Sequence, residues 1–249
     1  MNQPDKLYRY TTLSNLALIL KNKSIRLSSL NDLDDTLECA SRDGGNHGQN
    51  IFVSCWTETL EESIPFWKMY TPKMIGVRIS LPKPFLKTAP PQLIEFERKK
   101  IDISKPYLPF LSKPGDLSQL SLLSSEFVKV EYTDNEEKLK PLVLIVNEPN
   151  HTRCEYEEMG RYKRLNWNFQ EEWRFRIIIL NDILDKELDK IPSIQKNFFL
   201  EIDEEAFSKM EIILGPNSNE GDFEIVSALT KVYNPYAKIS FSKLRGEIR

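Results

Sequence analysis

A chain of 249 residues, 40% hydrophobic and 29% charged, with aromatics from Tyr8 to Phe241, can bury a sizeable core, so one ordered domain over 1–249 is expected rather than a disordered arm. A formal net charge of -3 gives no general pull toward a polyanion, so nucleic acid would have to be met by a local basic patch. Three cysteines (Cys39, Cys55, Cys154) and two histidines (His47, His151) are too scattered for a zinc site, and no apolar run approaches a leader or a membrane span; no metal, no membrane and a reducing, cytoplasmic setting are expected.

In chain order, residues 7–11 read as a strand and Thr12 as the N-cap of a helix over 13–21, where Leu13, Leu16, Ala17 and Leu20 repeat at helical spacing. Residues 25–28 return as a strand and lead into an acidic loop, 31–38, holding Asp32, Asp34, Asp35 and Glu38. The glycines of 41–50 lack a preceding strand and a dinucleotide-binding spacing, so this is a loop. Residues 51–56 form a strand, 64–70 a short helix grouping Phe66, Trp67 and Tyr70, and 74–81 a strand stopped by Pro82 and Pro84.

Nine of the fifteen prolines fall between Pro65 and Pro114, and 82–125 has no clear period, so an insertion or lid is expected there. A strand over 127–132 follows, then an apolar run, 142–146, that fits a strand or a buried helix. A charged helix is expected over 155–164. Strands at 198–202, 210–216 and 237–241, with an amphipathic helix over 223–233, complete an α+β pattern around one mixed, strongly twisted sheet with flanking helices.

The stretch from Trp167 to Arg176, running on into Ile177 and Leu180, concentrates the chemistry. Period two puts Glu172, Arg174 and Arg176 on one strand face and Glu171, Trp173 and Phe175 on the other. A carboxylate at the start of such an apolar strand persists only if paired or used, so this face carries either ion pairs or catalysis. With Trp173 on the packing face, Glu172→Gln is expected to leave the fold nearly intact.

Taken together, residues 7–11, 25–28, Asn31-Asp32 to Glu38, 53–56, 67–70, 76–79, 167–174 and 213–216 resemble, in that order, a bacterial family named domain of unknown function twenty-nine seventy-one. The opening strand, helix and strand of that family also resemble ADP-ribosyltransferase-like proteins. That resemblance implies an ADP-ribosyltransferase-like fold and an enzyme of a defence or toxin locus. It implies NAD as substrate and a macromolecular acceptor, protein or nucleic acid, or else hydrolysis of NAD. It also implies a possible partner protein from the same locus. By it, Glu172 is the late-strand acid, and Arg9 stands where the family usually has His. By it too, Arg9 and Thr11 become NAD contacts and Ser54 the polar residue of the second motif, and Arg9, Ser54 and Glu172 should converge on one cleft; by side-chain chemistry, Arg9 or Arg26 offers forked donors to the pyrophosphate and Tyr8, Trp67 or Tyr70 a flat surface for a ring. The residue types suit the reaction, because loss of nicotinamide builds positive charge on the ribose and a carboxylate stabilises it. Two alternatives stay open. One is a metal-dependent nuclease holding Mg²⁺ on Asp32, Asp34, Asp35, Glu38 and Glu172. The other is a non-catalytic binding or sensor module in which Glu172 and the arginines are structural.

Overall fold

The computed structural model describes residues 5–87, 92–96, 99–103, 120–148, 151–181 and 197–248. The chain runs β1 (Lys6–Thr11), α1 (Leu13–Asn22), β2 (Ser24–Ser29), β3 (Ile51–Thr57), α2 (Ile64–Tyr70), β4 (Val77–Pro82), β5 (Gln92–Phe96) and β6 (Lys99–Ile103). It continues as β7 (Leu120–Lys129), β8 (Glu131–Tyr132), α3 (Glu136–Leu139), β9 (Leu144–Glu148), β10 (His151–Cys154), β11 (Tyr162–Lys163) and β12 (Glu172–Asn181). The last elements are β13 (Asn197–Glu201), α4 (Glu204–Ser208), β14 (Glu211–Leu214), α5 (Glu220–Tyr233) and β15 (Lys238–Phe241). The class is α+β, with a mixed and mostly antiparallel strand arrangement. Among the described residues no helix is long and apolar enough to cross a membrane.

Two compact units are present. The first joins Met1–Ile25, Trp56–Leu108 and Leu200–Arg249, and the second joins Arg26–Cys55 and Pro109–Phe199. Much of the proline-rich stretch expected as an insertion lies outside the described residues; its described parts include the antiparallel pair β5–β6.

In the first unit the strand order is β1, β4, β14, β15. β1 and β4 are antiparallel in the register Tyr8↔Ser80 and Tyr10↔Arg78, and β14 pairs antiparallel with β4 and parallel with β15. α1 starts where Thr12 accepts a hydrogen bond from the Asn15 amide, and its helical spacing buries Leu16, Ile19 and Leu20. α2, capped by Ser63 and carrying Pro65 in its first turn, buries Phe66 and Trp67 against Tyr10 and Met74. α5 opens with a reciprocal capping box between Asn219 and Asp222. The strand expected from Met74 begins later, at Val77, because Pro72–Met74 closes a 3-10 turn with Lys73 and Met74 at positive φ. Backbone approach there is close: a Cβ on Gly215 would lie 2.2 Å from the Met74 carbonyl oxygen, and one on Gly76 2.6 Å from that of Thr11.

In the second unit β12 pairs with β3 and, antiparallel, with β7, from Trp173↔Lys129 to Asn181↔Leu120. The apolar run at 142–146 resolves into strand β9, antiparallel to β10. The core gathers Leu30, Ile51, Val53, Val143, Tyr156, Met159 and Ile178. The loop at 41–50 is anchored by Asp43, whose carboxylate accepts from the Val143 and Leu144 amides, the Ser41 hydroxyl and, at 2.9 Å, lies on the His47 ring nitrogen.

The helix expected over 155–164 is not formed; turns and the short strand β11 occupy this stretch. A helix would have consumed its own carbonyls. Here the carbonyls of Tyr156, Met159 and Gly160 instead accept from the buried guanidiniums of Arg174 and Arg176, and Gly160 takes a positive φ of 74° that ends any helical path.

Candidate functional site

β12 delivers Glu172, Arg174 and Arg176 to the face that carries Ile178, the face turned into the core of the second unit. All three are buried: Glu172 is 4% exposed, Arg174 0% and Arg176 1%. The division of β12 into a charged face and a packing face therefore needs correction, because Trp173 on the other face is 6% exposed and stacks on Phe127 at 4.9 Å. Both faces are interior, and the charged one is the more completely enclosed.

Burial is tolerated because the charges meet partners. Arg174 donates from Nε to Glu172 Oε1 at 2.6 Å and from Nη2 to Glu172 Oε2 at 3.1 Å, a forked pair, while Nη1 donates to the Gly160 carbonyl at 3.0 Å. Lys163, from β11, places Nζ 3.2 Å from Glu172 Oε2 and 3.2 Å from Glu38 Oε1, and donates to Gln170 Oε1 at 2.8 Å. Glu38, on the acidic loop, also pairs with Arg174 Nη2. Both Glu38 oxygens sit within ion-pair reach of a cation, Oε1 of Lys163 and Oε2 of Arg174. The rim is fixed by Tyr132, whose hydroxyl accepts from the Glu172 amide, and by Arg164, which forks onto the buried Asp35 at 3.0 and 2.8 Å.

The two carboxylates are driven apart in proton affinity. Burial disfavours the charge of Glu172, but Arg174 and Lys163 outweigh it and bring its pKa down to about 2. Burial dominates at Glu38, and repulsion from Glu172 adds to it, so this carboxyl is raised despite Arg174 and Lys163. Burial and Glu172 likewise push up the Cys55 thiol, which hydrogen-bonds to the Glu172 carboxylate, and the Tyr132 hydroxyl.

A pH dependence follows. Glu172 has a folded pKa below its ordinary 4.5, so its contribution to stability is complete above that value and is lost as pH falls toward about 2. Glu38 works in the opposite sense, its protonation favouring the fold as pH falls. The stability difference between wild type and Glu172→Gln, measured by urea melts, should shrink as pH drops below about 4.5. A difference independent of pH would mean that Glu172 is not held as a carboxylate.

The remaining predicted residues fall in both units. In the first, Tyr8 and Arg9 point to opposite faces of β1. Tyr8 shares its face with Tyr10 and is covered by the Arg78 guanidinium at 3.9 Å. Trp67 and Tyr70 belong to the cluster around Tyr10: Trp67 packs edge-on to Tyr10 at 4.7 Å, and Tyr70 lies beside Phe66. Arg9 shares the other face with Thr11 and lies 5.9 Å from the Trp56 ring centre. The expected aromatic surface and the expected Arg9 contact thus do not line one wall of β1, and Arg78 is the guanidinium set among the rings. In the second unit Arg26 is exposed on β2, and Ser54 is buried on β3. It is Cys55 that β3 turns toward Glu172, so alternation sends Ser54 to the opposite face with Phe52.

Of the acidic loop, Glu38 does meet Glu172, but Lys163 and Arg174 occupy the space between them, and among the described residues no group of three metal-capable side chains converges. Sequence reasoning did not single out Lys163, Gln170, Cys55 or Tyr132. In the sequence Lys163 is one of three cations, with Arg161 and Arg164, at the end of the charged segment ahead of Glu172, and nothing there sets it apart from the other two. No family model, no curated protein and no solved structure matches the chain.

Proposed function

We propose that the chain is an ADP-ribosyltransferase-like enzyme of bacterial defence or toxin type, acting on the nicotinamide–ribose bond of NAD with Glu172 and Glu38 as its carboxylates. The observation that carries this reading is the pair itself: two buried carboxyls around one ammonium and one guanidinium, with proton affinities shifted in opposite directions. In the proposed reaction the bond from ribose C1′ to the pyridinium nitrogen breaks, its electron pair leaves with neutral nicotinamide, and Glu172 stabilises the cationic sugar. An acceptor hydroxyl or water attacks C1′, and Glu38, with its raised proton affinity, takes the released proton. Arg9 and Arg26 remain proposed pyrophosphate donors on the forked geometry of the guanidinium, with the resemblance adding only Arg9. The finer likeness to the ADP-ribosyltransferase fold belongs to this proposal as well.

A second reading rests on burial. Glu172 has both oxygens engaged by cations, which is what a structural ion lock requires, and the chain is then a non-catalytic binding or sensor module. The experiment is nicotinamide release from labelled NAD, with protein and nucleic-acid acceptors, with and without Mg²⁺, below the melting temperature of each variant. Glu172→Gln should lower the rate about a hundredfold or more, on the order of 3 kcal/mol. No release from wild type leaves the ion lock standing, and Mg²⁺-dependent cleavage of nucleic acid would favour the nuclease.

A further inference from the structure

The cluster is roofed by a short aromatic segment that neither reading uses. Residues Leu165–Gln170 form a 3-10 helix directly between β11 and β12. Its inner side is polar: Gln170 is buried and accepts from Lys163 Nζ, and the Trp167 ring lies 4.7 Å from the same Nζ. Its outer side is mixed, with Leu165 44% and Phe169 40% exposed beside the exposed Asn166 and Asn168. The rings of Trp167 and Phe169 are 6.2 Å apart and inclined by only 30°. At the N-terminal end Arg164 is clamped to Asp35. At the C-terminal end stands Glu171, a non-glycine residue at φ 41°, ψ 52°. Left-handed backbone in such a residue is strained and persists where surrounding structure imposes it. Glu171 is thus the joint between roof and strand, while Glu172 is the ionised partner.

We infer that Leu165–Gln170 is a hinged cover, pivoting at Glu171, whose Trp167 and Phe169 rings form the wall that takes a planar heteroaromatic ring of the ligand above Lys163 and Glu172. The inference rests on the cluster being the ligand site. Two neighbouring rings, Phe169 exposed and Trp167 half-buried against the Lys163 ammonium, suit a ring carrying a polar or charged substituent. Release of the Arg164–Asp35 clamp together with movement at the Glu171 joint exposes Lys163 without unpairing Arg174 from Glu172, because the bonds of Arg174 go to Glu172, Glu38 and Gly160.

The test is the rate of reductive methylation of Lys163 in the native protein, read by mass spectrometry, with NAD as the probe ligand. Lys163 should react faster than global unfolding allows, and at least tenfold faster in Trp167→Ala. NAD should slow labelling severalfold in wild type and in Trp167→Phe, which keeps a ring, and have no effect in Trp167→Ala. Circular dichroism melts of each variant establish that it is folded. Labelling only at the unfolding rate in both wild type and Trp167→Ala overturns the cover, and an NAD effect equal in all three proteins, or absent from all, overturns the ring wall. Nicotinamide release is scored separately: Trp167-dependent protection by NAD without release keeps this inference and removes the catalytic one.

Discussion

Arg174→Ala is expected to cost the fold about 3–5 kcal/mol, the range for deleting one member of a buried ion cluster. The side chain is fully buried and serves Glu172 through a fork, Glu38 through a second contact and Gly160 through a third. Removing it leaves two carboxylates facing each other with only the Lys163 ammonium between them. Arg174→Met, which keeps much of the volume, should fall in the same range, because the loss lies in the uncompensated charge and not in the cavity. Urea melts at neutral pH measure it, and a loss below about 1 kcal/mol, the scale of exposed pairs, would show that water reaches the cluster.

Trp173→Ala should destabilise by a comparable amount, about 3–5 kcal/mol, through the removal of a large buried ring. Trp173 stacks almost parallel on Phe127, with planes 11° apart, across the β12–β7 pairing, and Lys129 Nζ lies 5.7 Å from its ring centre. Trp173→Phe should recover much of the loss in thermal melts, since it keeps an aromatic partner for Phe127; a melt unchanged by Trp173→Ala would place the ring outside the core. The sequence reading set this substitution against a nearly neutral Glu172→Gln. The ion pairs revise the second half: Gln at 172 cannot neutralise Arg174 and Lys163, and a cost of about 1–3 kcal/mol is expected.

Elements whose signals are local were legible. Thr12 with the Leu16–Leu20 spacing marked α1, the β-branched and aromatic run from Ile51 marked β3, and the amphipathic period over 223–233 marked most of α5, whose first turn and Asn219 cap it missed, because caps and periodicity act within a few residues. The segment 155–164 was illegible for the opposite reason. Its carbonyls are claimed by arginines that enter the chain later, a tertiary demand that helix-forming composition cannot register. At the site, alternation did place Glu172, Arg174 and Arg176 on one face. It could not say that this face is the interior one, nor that Glu38 arrives from a distant loop to share its cations. Alternation separates Glu171 from Glu172 by face, but it takes the backbone and the side-chain contacts to show one as a strained joint and the other as an ion-pair member.

The way each unit is stitched from separated stretches has a bearing on biosynthesis. The first unit draws β1 from the start of the chain and β14, α5 and β15 from its last fifty residues. Until those residues leave the ribosome, β4 can pair with β1 but has no neighbour on its other edge, and bare strand edges are where nascent chains associate wrongly. In the second unit, by contrast, the described residues that enclose the ion cluster end with β12 at Asn181. The segments that enclose the ion cluster are therefore complete in the nascent chain before the first unit can be, although the first unit holds the earlier strand β1.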